Sequence, residues 1–188
     1  MFSNMDVLSY SLASITFGLL AVLVATRYLR RGVDRALALA ATVTAIWAGS
    51  LVSQSLWGYP GFNIRYLIEL VRDGAWIYLL FALLKDGLGE KKLTGKVKQV
   101  LGASAATLLV VLLGIGLAEH FAEVSVATGK VKLLGQIGLS LLGLSLVEQI
   151  WRNSPSFGRS SIKYICIGVA TIFAFDFFMY ADALLFGQ

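Results

Sequence analysis

Val7–Thr26 reads VLSYSLASITFGLLAVLVAT, a run without one charge that stops against Arg27-Tyr28-Leu29-Arg30-Arg31. The hydrocarbon slab of a bilayer takes roughly 20 apolar residues per spanning helix. Lipid offers no partner to backbone amides, so a run of this kind must form a helix. A bilayer strand would need only ~10 residues of alternating character, and nothing in the chain alternates. Only Asp6, and no basic segment, precedes the run. A cleaved signal peptide is therefore not expected, and the N-terminus is placed outside.

Five further runs follow. Ala36–Trp57 is closed by Gly58-Tyr59-Pro60-Gly61, a strong turn signal. Ile64–Leu84 is unusual because it carries Glu69, Arg72 and Asp73. Val100–Ala118, Leu133–Trp151 and Ile162–Phe186 complete the set. The expected fold is an all-α integral membrane protein, with residues 1–188 forming one bundle of six transmembrane helices (7–26, 36–57, 64–84, 100–118, 133–151, 162–186). The composition agrees: 57% of the 188 residues are hydrophobic and 14% charged, and the mean hydropathy is +0.77. A soluble domain of this size could not hide so much apolar surface.

Lysines and arginines set the orientation. Arg27, Arg30, Arg31 and Arg35 follow the first run, Lys85, Lys91, Lys92, Lys96 and Lys98 the third, and Arg152, Arg159 and Lys163 the fifth. The opposite side carries Arg65, Lys130 and Lys132. Twelve against three places both termini outside, the three basic loops in the cytoplasm and the protein in a bacterial inner membrane. Trp57, Tyr59 and Phe62 suit an outer aromatic belt and Trp151 an inner one. The same distribution argues against nucleic acid as a partner, because the basic residues form no single patch. The bilayer is the expected partner.

Small residues recur on two helices: Ala38, Ala41, Ala45, Ala48 and Gly49 on the second, Gly135, Gly138, Ser140, Gly143 and Ser145 on the fifth. Small faces let helices approach closely, which would put both in the middle of the bundle. The competing account is that Gly and Ala are common in membrane helices. No internal repeat supports a transporter of the inverted-repeat type.

Cofactor and enzyme chemistry find no foothold. Cys166 is the one cysteine and His120 the one histidine, so disulfides and multi-histidine or thiolate metal sites are not expected within one chain. His120 falls in an expected outer loop between Glu119 and Glu123, a poor metal site. H-E-x-x-H, G-x-S-x-G and the phosphate-binding G-x-x-x-x-G-K-[ST] are all absent.

The informative residues are charges within the runs. A lone charge at mid-bilayer costs roughly 2.5–3.5 kcal/mol on insertion scales, so each must face the bundle interior and find company. Arg65, Glu69, Arg72 and Asp73 share one face at (i, i+3) and (i, i+4) spacing. Arg72 lies 13 residues before Lys85, and Asp176 lies 13 after Lys163. Both thus fall roughly 20 Å from the inner boundary at 1.5 Å per residue. The expectation is an Arg72–Asp176 pair, with Glu69 held by Arg65 and Arg72, and Asp73 sharing Arg72 or taking a proton. This cluster is either a signalling or ligand site or an ion-pair network that fixes helix register. Secondary polar candidates are Glu148, Gln149, Arg152 and Lys163 at the inner ends of helices five and six. Tyr180 and Asp182 would lie at a solvated outer end.

The stretch Val147-Glu148-Gln149-Ile150-Trp151-Arg152-Asn153-Ser154-Pro155, the ending Tyr180-Ala181-Asp182-Ala183-Leu184-Leu185-Phe186 and Glu69-Leu70-Val71-Arg72-Asp73-Gly74-Ala75-Trp76 resemble the membrane region of PEP-CTERM-system sensor histidine kinases of the PrsK type. The first two helices resemble that family only in hydropathy. The resemblance implies a two-component receptor linked to exopolysaccharide genes, acting as a homodimer on a cytoplasmic response regulator. The phosphoacceptor helix and ATP-binding domain of such a receptor are absent here, so the chain is expected to be a truncated sensor domain without enzyme activity or cofactor. An odd number of further spans would have to follow Gln188 to bring a kinase core into the cytoplasm. A small transporter or channel subunit is the alternative, although the prolines, Pro60 and Pro155, both fall in loops and break no helix. A passive anchor is a third possibility.

Overall fold

The computed structural model describes residues 2–27, 32–59, 61–87, 95–122, 128–153 and 159–186. Among them the chain is entirely helical: α1 (Phe2–Arg27), α2 (Gly32–Trp57), α3 (Phe62–Gly87), α4 (Gly95–Ala122), α5 (Thr128–Asn153) and α6 (Arg159–Phe186). All six expected helices are present, each longer than its apolar run. His120 accordingly lies inside the last turn of α4 rather than in a loop, while Glu123 and Pro60 lie outside the described residues.

Four helices contain segments long and apolar enough to cross a membrane: Val7–Thr26, Gly32–Trp57, Gly129–Arg152 and Lys163–Phe186. The apolar part of α4, Gly102–Ala118, is shorter. The charged helix α3 does not meet the same criterion. It nevertheless holds the longest series of buried side chains, from Tyr66 through Glu69, Arg72, Asp73 and Trp76 to Leu84. A helix shielded by protein does not need an apolar surface. α2 and α5 are more buried than α1 and α6, as their small residues imply, but α3 exceeds both.

The exterior of the spans fits lipid. Leu8, Leu12, Ile15 and Leu19 of α1 are all exposed, as are Phe175, Phe178 and Leu185 of α6. Hydroxyls that share this surface are turned back on their own helices: Thr16 donates to the Leu12 carbonyl at 2.7 Å, Thr42 to Ala38 at 2.8 Å and Thr171 to Ile167 at 2.9 Å. Each polar group is thus satisfied without water.

The chain divides into two compact units, Met1–Leu79 and Leu80–Gln188, with the division inside α3. In the first, α1 and α2 pack side by side, with the Ser14 hydroxyl donating to the Ala45 carbonyl at 3.0 Å. α2 ends at Gly58, whose φ of 71° only glycine adopts without strain. Its N–H closes on the Gln54 carbonyl at 2.9 Å, an αL cap that turns the chain into α3.

In the second unit α5 packs on α4 and α6. Two glycines make this possible. A Cβ at Gly135 would overlap Leu112 of α4, and one at Gly143 would lie 2.6 Å from the Phe173 ring of α6. A Gly143→Val variant is therefore expected to lose about 1–3 kcal/mol of stability through overpacking. Gly168→Ala, with nothing within 4 Å, should change little. Thermal unfolding of the two variants in lipid nanodiscs checks the contrast.

Candidate functional site

The first unit contains a buried polar and aromatic cluster. Its centre is Arg72, whose guanidinium sits 4.2 Å from the centroid of the Trp47 ring on α2. The same guanidinium holds Asp73, with Nη2 at 2.9 Å and Nε at 3.1 Å from Oδ1. Both side chains are 3% exposed. Neighbours at (i, i+1) project from different parts of a helix, and it is the length of the arginine that lets it fold back on Asp73. The cation is thus covered on one side by a negative ring face and met at its edge by a carboxylate, the two surroundings that a desolvated guanidinium accepts best.

A ring of contacts fixes these groups. Trp76, one turn beyond Arg72, donates its indole N–H to the Thr44 hydroxyl at 3.0 Å. Thr44 in turn donates to the Ala40 carbonyl at 2.7 Å, so that buried hydroxyl is used twice. From α1, Phe17 meets Trp76 edge-on at 6.3 Å and Tyr10 meets Trp47 at 6.1 Å, both favourable arrangements for aromatic pairs. Three helices thus converge on one arginine.

The expected pairings are realised in part. Asp73 does share Arg72. Arg65 reaches across to α2, donating to Gln54 Oε1 at 3.2 Å, whereas Glu69 is buried and forms no hydrogen bond or ion pair with either arginine among the described residues. Asp176 is buried, as expected, and makes a contact of its own. Glu148 and Arg152 form the expected pair at 3.3 Å, but both are exposed, at 64% and 70%, where such a pair is worth little. Gln149 is half-buried and Lys163 exposed. Asp182 is exposed as expected, but Tyr180 is buried rather than solvated, because the α5–α6 packing continues to that level. Trp57, Tyr59 and Trp151 are exposed, as interfacial anchors should be.

Trp47, Trp76, Thr44, Tyr10 and Phe17 do not stand out by hydropathy. One signal does mark the tryptophans: the indole prefers the membrane interface, whereas Trp47 and Trp76 fall well inside their runs. Trp76 donates its N–H to Thr44 and Trp47 offers its ring face to Arg72, although the Trp47 N–H is buried without a hydrogen-bond partner. Among the described residues no group of three or more His, Cys, Asp or Glu side chains could hold a metal ion.

No known protein family, curated protein or solved structure matches the chain.

Removing the Thr44 hydroxyl by Thr44→Val leaves the Trp76 N–H buried without an acceptor, at a cost of about 1–3 kcal/mol. The double variant with Trp76→Phe should lose less than the sum of the two single changes. A double-mutant cycle of unfolding free energies in nanodiscs measures that coupling.

Proposed function

We propose that the chain is the membrane-embedded sensing and transmission domain of a two-component histidine kinase, working by rearrangement of helix packing rather than by chemistry. In this reading all six helices span the inner membrane, both termini lie outside and the basic loops lie in the cytoplasm. A kinase core would follow further spans, act as a dimer and address a cytoplasmic response regulator. The resemblance of the quoted segments supplies the pathway. The observation that carries the mechanism is the Arg72 cluster. One buried cation is held by a ring from α2 and a carboxylate from α3, and the helix that bears it also carries a buried Glu69 outside those bonds.

Such a cluster suits a two-state element. Arg72 can exchange Asp73 for another acidic partner with a small movement of its long side chain, and a stimulus that favours one partner shifts the balance between two helix packings. Unbroken helices favour this over transport, since discontinuous helices are the usual device for building a substrate site at mid-membrane.

In the full gene product, Arg72→Lys retains the charge but not the planar fork that bridges ring and carboxylate. The variant is expected to unfold within ~4 °C of the parent, a change of roughly 1 kcal/mol, yet to lose roughly tenfold or more of its stimulus-dependent modulation of autophosphorylation. Phosphate incorporation from ATP in membrane vesicles measures it. A gene product with no phosphoacceptor and ATP-binding region joined to this domain sinks the reading.

A further inference from the structure

The second unit carries a polar feature of its own. Lys132, Gln136 and Ser140 follow one another at four-residue intervals on α5 and are 6%, 1% and 2% exposed. The Gly143–Phe173 contact fixes the register of the antiparallel helices α5 and α6. Counting outward from it, Ser140 falls level with Asp176, and Gln136 level with Tyr180, both of them buried on α6. The remainder of the seam, Leu146, Val147 and Ile150 on α5 and Val169 and Cys166 on α6, is apolar. The seam is therefore divided along its length. The buried polar residues lie on one side of the Gly143–Phe173 contact, together with the fully buried Leu139.

Three of the five polar residues are already engaged. Ser140 donates to the Gln136 carbonyl at 2.9 Å, and Lys132 and Asp176 each make a contact. Gln136 differs: neither Nε2 nor Oε1 of its buried side chain has a hydrogen-bond partner. An unmatched buried polar group costs about 1–3 kcal/mol, and an apolar residue of similar volume would avoid that cost. Retaining a glutamine here makes sense if something else completes it. The location indicates what. Lys132 is one turn, about 6 Å, to one side of Gln136, and the Asp176 level is about 6 Å to the other. Between a positive and a negative charge the two fields add, so the amide sits where a dipolar solute is oriented most strongly. An amide also presents a donor and an acceptor side by side, which matches an ammonium and a carboxylate carried on one carbon.

We propose that this half of the α5–α6 seam binds a small zwitterion of the α-amino-acid class. Its carboxylate lies toward Lys132 and accepts from Gln136 Nε2. Its ammonium lies toward Asp176 and donates to Gln136 Oε1. The proposal does not depend on the sensing role.

The test uses the whole chain in lipid nanodiscs, with thermal unfolding followed by tryptophan fluorescence against increasing glycine and, separately, L-alanine. Acetate and ethylammonium, each carrying one half of the zwitterion, serve as comparators. Glycine or alanine should raise Tm saturably, and neither half should do so alone. Gln136→Leu keeps the volume and removes the unmatched amide. It should fold with a Tm at or above that of the parent, while glycine binds roughly tenfold or more weakly, which corresponds to about 1.4 kcal/mol. No response of the parent chain to either amino acid would mean that the amide is completed by water only and would overturn the proposal. An undiminished response in Gln136→Leu, or an equal one to acetate or ethylammonium alone, would overturn it as well.

Discussion

A guanidinium removed from water must be matched at its edge and covered on its face, and the first unit is organised around that requirement. Arg72 meets it with Asp73 at the edge and Trp47 on the face. Each of those groups then imposes its own demand. Trp47 has to be held on α2 where its ring faces α3, and Tyr10 of α1 abuts it. Trp76 follows one turn after Arg72, needs an acceptor for its N–H and finds it in Thr44, itself one turn from Trp47. The contacts form a closed circuit over α1, α2 and α3, so a shift of one helix disturbs several bonds together. Packing of this kind favours discrete alternative arrangements over continuous drift.

The second unit solves a different problem. α5 is drawn against two neighbours at once, and glycine is what permits it: Gly135 admits Leu112 from α4, and Gly143 admits Phe173 from α6. Between helices in lipid, close packing replaces the hydrophobic drive available in water. The seam then has one half free to be polar, since the tight apolar contact on the other half already holds the pair together. The two units thus place their polar groups by opposite means, one by enclosing a charge in aromatic rings, the other by segregating charge along a helix pair.

Much of the architecture was legible in the residues because bilayer thickness and backbone satisfaction leave few choices. Val7–Thr26 could be nothing but a helix, and Gly58 announced the turn that its φ confirms. Burial of Glu69, Arg72, Asp73 and Asp176 followed from the cost of charge in lipid alone. Of the expected partners, Asp73 does take Arg72, and the closeness of that bond depends on side-chain reach. A depth estimate from the chain ends treats residues as points on an axis, so it does not show that Arg72 also folds back on the adjacent Asp73. The aromatic half of the cluster was hidden for a related reason: hydropathy counts Trp47 and Trp76 as ordinary apolar residues, although each carries an N–H and a π face. Tyr180 was misplaced because proximity to the chain end was read as proximity to water, while the α5–α6 contact extends past it.

The pairing of Arg72 with its immediate neighbour has a consequence for how α3 forms. A helix entering lipid with Glu69, Arg72 and Asp73 all exposed would face the insertion cost of each charge separately. The Arg72–Asp73 bond is local, so it exists as soon as that turn is helical and needs no other helix. It converts two charges into one compact dipole before any tertiary packing is made. A pair between distant helices could not do this, because it would leave both partners bare until the bundle closed. The Trp47 face and the Thr44 acceptor, both on α2, then complete the surroundings of Arg72 and Trp76.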